Sequence, residues 1–127
     1  MKKILAVLMI TLFWCNNAFA TWTPLLKDGF ITWHLDYDSF KKNNNEVGIK
    51  ILMDALNGFP NDPNVKSSII DLRIECKTKA FRFIQTDRYS DNMGKGILVY
   101  SKKFEIKTWV PVKNPDTIWG NIIRELC

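Results

Sequence analysis

Histidine is almost missing from this sequence. Its 127 residues contain one, His34, together with three cysteines, five prolines and six glycines. So few imidazoles and thiols exclude most zinc sites and the His-dependent catalytic arrangements that need a spare base. Linkers, internal repeats and heptads are absent too, and the length suits one domain rather than two. No apolar run approaches the roughly 20 residues that cross a bilayer core. What is present is an ordinary globular mixture, 46% hydrophobic, 13% aromatic and 24% charged. The net charge is +5 and the pI about 9.2. That composition excludes disorder and low complexity. The residues alone name neither a partner nor a reaction.

Residues 1–20 read as a cleavable signal peptide. Lys2 and Lys3 form the charged start, an apolar run extends from Ile4 to Trp14, and Ala18-Phe19-Ala20 supplies small residues before a cut at Thr21. Two alternatives stay open: an anchoring first helix, and lipidation at Cys15, although Phe13 and Trp14 replace the small residues expected before a lipidated cysteine. Cleavage removes Lys2, Lys3 and Cys15, so the net charge falls from +5 to +3. The remaining pair, Cys76 and Cys127, is most simply one structural disulfide in an exported chain. A redox pair or an intermolecular bridge lacks a CxxC spacing or a local base.

Strand patterns dominate the rest. From Ser67 to Lys77, Ile70, Leu72, Ile74 and Cys76 alternate with Asp71, Arg73, Glu75 and Lys77, the period of a half-buried strand. Further strands are expected at Trp22–Leu26, Phe30–Leu35 (with Asp28-Gly29 as the turn), Ala80–Thr86, Ile97–Ser101 and Lys103–Trp109. Val47–Leu56 is ambiguous between helix and strand, with strand favoured. Asp36–Phe40 reads as a polar corner followed by a loop at Lys41–Asn45, and Asn57–Val65 as a second loop. Pro111 argues against continued central pairing. Ile118, Trp119, Ile122, Ile123 and Leu126 then form one apolar stripe of a terminal helix. Asn114 and Asp116 flank Pro115 there, which fits a cap followed by proline at the first helical position. The expected class is α+β: an antiparallel sheet with a C-terminal helix laid on it, stapled by Cys76–Cys127.

The ordered set Asp71-Leu72-Arg73-Ile74-Glu75-Cys76-Lys77, Phe81-Arg82-Phe83, Tyr89-Ser90, Gly94-Lys95-Gly96, Trp109-Val110-Pro111-Val112, Asn114-Pro115-Asp116-Thr117 and terminal Cys127 resembles the surface-adhesin protein E family of small exported bacterial proteins. Leu35-Asp36-Tyr37-Asp38-Ser39-Phe40 resembles that family's aspartate-containing corner. The resemblance spans most of residues 22–127, is best from 67 onward, and departs in Val47–Val65. It implies a sheet of about six strands with a C-terminal helix. It also implies a non-enzymatic binding protein at the periplasm, cell surface or exterior, with host extracellular-matrix or plasma proteins as partners. It transfers no binding residues.

His34, flanked by Trp33 and Leu35 with Asp36 and Asp38 beyond, is the one conventional base near neutrality. A small secreted hydrolase would have to be built on it without an evident second group. Asp36 and Asp38 fall short of a calcium loop. No catalytic residue, metal ligand or cofactor is therefore assigned. A third class is a periplasmic structural or inhibitory protein. Charge is uneven: residues 73–107 hold nine basic side chains against four acids, a balance of +5, whereas 21–72 carry −2 and 108–127 balance at zero. Arg73, Lys77, Lys79, Arg82, Lys95, Lys102, Lys103 and Lys107 are the candidate surface for an anionic partner such as a sulfated glycan or acidic protein patch. The alternative is a solvated face that discourages edge aggregation. Nucleic acid is not expected, and a homodimer stays open.

Overall fold

The computed structural model describes residues 21–105 and 107–127. Residues 1–20, which include Cys15 and are expected to be a signal peptide, and Ile106 lie outside the described residues. Six antiparallel strands follow one another in space as in sequence: β1 (Thr23–Asp28), β2 (Ile31–Asn43), β3 (Glu46–Ala55), β4 (Ser67–Glu75), β5 (Ala80–Tyr89) and β6 (Leu98–Lys103). A two-residue strand, β7 (Val110–Pro111), pairs with the start of β5, and helix α1 (Ile118–Leu126) closes the chain. The α+β expectation holds, including the disulfide Cys76–Cys127, whose Cα atoms stand 5.6 Å apart.

The period of two decides which face is covered. Val47, Ile49 and Ile51 of β3, Ile70, Leu72 and Ile74 of β4, and Leu35 of β2 meet Ile122, Ile123 and Leu126 of the helix in one core. The far face is polar over most of its area. At one end, however, it buries Leu52, covered by a 3-10 turn at Asn92–Gly94. Asp54 clips that turn: its Oδ1 accepts from the Met93 N–H at 2.9 Å and the Asn92 side-chain amide at 3.2 Å. β3 therefore buries adjacent residues on opposite faces, which is why its apolar run shows no clean alternation.

Several boundaries differ from expectation, each for a local reason. The first hairpin turns at Gly29-Phe30, one residue later than Asp28-Gly29, because Asp28 already pairs with Ile31. The polar corner at Asp36–Phe40 is a bulge inside β2, not its end. Ser39 Oγ donates to the Asp36 carbonyl at 2.7 Å and accepts the Lys50 N–H at 2.8 Å, so the strand continues through Lys41 to Asn43. The chain reverses at Asn44-Asn45, with Asn44 at φ 55°, a left-handed conformation that asparagine tolerates.

The strand expected at Lys103–Trp109 does not form. Lys103 lies opposite Gln85 and Val110 opposite Phe81, so the six residues 104–109 must fit against only Arg82, Phe83 and Ile84. They bulge outward. The helix cap is Thr117, whose Oγ1 accepts the Gly120 N–H at 3.2 Å, rather than Asn114 or Asp116. Asn114 instead accepts the Asp116 N–H at 2.9 Å in the turn before the helix. Gly120 is required by the close approach of that turn: a Cβ there would stand 2.3 Å from the Pro115 carbonyl oxygen.

Candidate functional site

The helix covers only part of its sheet face. Beyond Trp119 lies an open groove of about 510 Å³, within the size range of ligand pockets. Its floor is Trp33, Met53, Ile70 and Phe83; Trp119 closes the helix end, and the Asn57–Val65 loop supplies Phe59, Asp62 and Val65 to one wall. That loop is tied down by the Phe59 N–H donating to the Val65 carbonyl at 3.0 Å and by the Phe59–Asp62 bridge. The opposite wall is β6 and the residue that follows it, through Tyr100, Lys102 and Phe104.

The aromatic end is a connected cluster. Trp119 stacks on Phe81 with ring centroids 4.4 Å apart, meets Trp33 edge-on at 5.6 Å, and lies 5.6 Å from Phe83. Phe83 in turn meets Phe104 edge-on at 5.7 Å. Trp33 Nε1 is buried without an acceptor, an unusual cost for an indole.

A bulge places the groove's cations. Asp71 pairs with Gln85 and Leu72 with Phe83, so Ile84 is an extra residue in β5. Strict alternation from Phe81 and Phe83 would send Thr86 and Arg88 to the far face with Arg82. The extra residue reverses the phase and brings both to the groove, where the β5–β6 register sets Arg88 opposite Tyr100 and Thr86 opposite Lys102. The Arg88 guanidinium lies 5.2 Å from the Tyr100 ring centroid, and the Lys102 ammonium 5.0 Å from that of Phe104. Such contacts favour a cation at an aromatic face. Among the described residues neither cation pairs with a carboxylate. Arg88 and the aromatic walls were outside the sequence-derived set, and only the bulge could have pointed to Arg88.

The eight basic candidates are distributed over both faces and both ends. Arg73 and Arg82 are cross-strand partners on the far face. There Arg73 pairs with Asp71 at 2.7 Å, Arg82 approaches Glu46 at 3.9 Å, and the Arg82 guanidinium lies 5.0 Å from the Trp109 ring centroid. Lys103 belongs to that face through Gln85, whereas Lys102 belongs to the groove. Lys77 and Lys79 sit in the β4–β5 turn, with Lys79 beside the disulfide. Lys95 follows the 3-10 turn at the other end of the sheet, and Lys107 is exposed in the segment between β6 and β7.

His34 is buried on the far face at 7% exposure, paired across strands with Leu52, and its Nδ1 has no hydrogen-bond partner. Asp36 does not orient it; that carboxylate accepts the Asp38 N–H at 3.1 Å. Near the helix end, Tyr37 donates its hydroxyl to Glu125 at 2.9 Å. Desolvation first, then this bond and the Glu125 charge, raise the Tyr37 pKa above its ordinary value.

Two kinds of comparison place this geometry. The chain is similar to crystal form II of Haemophilus influenzae protein E, with a TM-score of 0.60 and 17% identity over 87% of this chain and 90% of that one. It is also similar to protein E from non-typeable Haemophilus influenzae, with a TM-score of 0.54 and 16% identity over 86% and 76% of the two chains. At such identities the likeness shows a shared fold. No curated protein matches the sequence. The pattern of the family described as surface-adhesin protein E matches residues 22–127, essentially the whole described domain, and the chain belongs to that family.

Proposed function

We propose that the protein is an exported surface adhesin that binds host extracellular-matrix or plasma proteins through the helix-face groove. The observation that carries this reading is the pair Arg88 and Lys102, held over Tyr100 and Phe104 with no salt bridge to a carboxylate among the described residues. Aromatic anchors and arginine are the side chains enriched where proteins bind each other. Unneutralised cations at the rim attract an acidic partner and steer its approach. Membership of an adhesin family supports the same assignment.

The test is binding of the disulfide-bonded domain to immobilised matrix and plasma proteins across salt, with heparin as the anionic-glycan control. Saturable binding is expected at physiological ionic strength, weakening as salt shortens the screening length. The Arg88→Ala/Lys102→Ala double variant should bind at least about tenfold more weakly. Absence of saturable binding would remove the adhesive role and leave the fold intact.

Export enters the same proposal, with residues 1–20 as a cleavable leader. Mass spectrometry of protein recovered from outside the cytoplasm should then find a chain starting at Thr21, lighter by two hydrogens for the disulfide. A retained Met1, or a lipid on Cys15, would contradict that start.

A further inference from the structure

The outer edge of β6 is exposed along its whole length. β6 ends the six-strand order, so among the described residues no strand supplies partners beyond it. All six of its residues are exposed. Ile97, Leu98, Val99 and Tyr100 form a consecutive apolar run with exposures of 75%, 51%, 49% and 45%. The opposite edge, β1, carries Pro24, a register shift between Pro24 and Leu26, and Lys27, devices that blunt a sheet edge. β6 has its own register shift at Val99 and two lysines, but it has no proline and keeps a regular register from Tyr100 to Lys103.

Backbone polarity along β6 follows from one bond. The Phe104 N–H donates to the Ile84 carbonyl at 2.9 Å. Alternation along the regular part of the strand turns the backbone groups of Lys102 and Tyr100 toward β5, and those of Ser101 and Lys103 outward. The register shift at Val99 then resets the phase, and the Ile97 carbonyl faces β5, accepting the Ser90 N–H at 3.0 Å. An outward row of N–H and C=O groups is what an added strand requires. The side chains of Tyr100 and Lys102 on this same strand wall the groove. A strand laid against β6 would therefore carry every second side chain over the groove's open side.

We propose that the outer edge of β6 accepts an extended acidic segment of a partner protein as an additional strand, with a carboxylate brought to Arg88 and Lys102. This rests on the reading of the domain as a protein-binding adhesin and adds how the partner is held. Charge selects the occupant. A second copy of the chain would bring its own Lys102, Lys103 and Arg88 to cations that already lack carboxylates, whereas an acidic segment neutralises them. Main-chain bonds to the edge supply affinity, and the groove selects side chains.

Two perturbations separate backbone pairing from simple charge attraction. The probe is a short labelled peptide of alternating valine and glutamate, compared with its fully N-methylated form, which keeps every side chain and loses its N–H donors. The protein variant is Ser101→Pro, which removes an outward N–H at an edge position where proline is tolerated, with Ser101→Ala as the control for the lost hydroxyl bonds to Asp87 and Gln85. Both changes should weaken peptide binding at least about tenfold, and Ser101→Pro should weaken matrix-protein binding alike. Equal binding of the two peptides would overturn the edge proposal even if Ser101→Pro failed to fold. Retention of matrix-protein binding by a folded Ser101→Pro protein would overturn it while sparing the adhesin reading. Peptide capture that N-methylation abolishes, without any matrix-protein binding, would support the edge and overturn the adhesin reading. A native dimer made monomeric by Ser101→Pro would assign the edge to a second copy and overturn the acidic partner.

Discussion

Reducing the Cys76–Cys127 bridge lowers the melting temperature by roughly 20 °C. The bond joins positions 51 residues apart, and a loop of that size removes chain entropy from the unfolded state worth about 4 kcal/mol. A small domain has a net stability of roughly 5–15 kcal/mol, so the loss is a large fraction of the whole. Its structural consequence is localised. Helix α1 has nine residues, too few to persist alone in water. Without the bridge it is held by Ile122, Ile123 and Leu126 in the core and by the Tyr37–Glu125 hydrogen bond. Thermal unfolding of the native protein with and without reductant, beside a Cys76→Ser/Cys127→Ser variant, checks this. The reduced protein and the double variant should melt together. A shift of only a few degrees would mean that the helix's apolar face, not the bridge, fixes it to the sheet.

Most of the scaffold was legible because its physics is local. The alternation from Ile70 to Cys76 set both the exposed face of β4 and the inward direction of Cys76. The stripe from Ile118 to Leu126 defined the buried side of α1, where Ile122, Ile123 and Leu126 are indeed covered. What escaped depends on partners distant in sequence. Nothing near Ser39 announces that its hydroxyl will accept the Lys50 N–H and carry β2 onward. Likewise, the pattern Phe104, Ile106, Thr108 looks like a strand until the register forces six residues against three. Thr117 takes the cap because its Oγ1 reaches the Gly120 N–H, while Asn114 is engaged with the Asp116 N–H in the preceding turn.

The groove was the hardest feature to foresee. Net charge drew attention to residues 73–107, which do contain Lys102, but a charge tally cannot distinguish the two faces of a sheet. Arg82 and Arg88 are six residues apart, an even number, so unbroken alternation would place them together. The extra residue Ile84 separates them, sending Arg82 to Glu46 and Trp109 and Arg88 to Tyr100. The Asn57–Val65 loop, where the family resemblance was weakest, supplies a wall of the same groove. That loop and the phase-reversing bulge thus meet where binding specificity would be set.

Trp119→Ala should cost about 3 kcal/mol, which for a domain of this size lowers the melting temperature by roughly 10–20 °C. The indole is partly exposed rather than sealed in the core, which sets the expectation at the lower end for an aromatic-to-alanine change. It nevertheless touches three other aromatic rings, and stacked or edge-on pairs add to the area they bury. Trp119→Phe should recover much of the loss, since a smaller ring can still stack on Phe81. The same indole closes the helix end of the groove, so the two variants also separate stability from recognition. Urea titrations followed by far-UV circular dichroism give the first quantity, and matrix-protein binding measured well below each variant's melting point gives the second. If the groove carries the interaction, Trp119→Phe binds detectably more weakly while remaining well folded. Full binding by a Trp119→Ala protein that is folded at the assay temperature would place the contact surface elsewhere. A stability loss under about 1 kcal/mol would show that Phe81, Phe83 and Trp33 close over the vacancy without the indole.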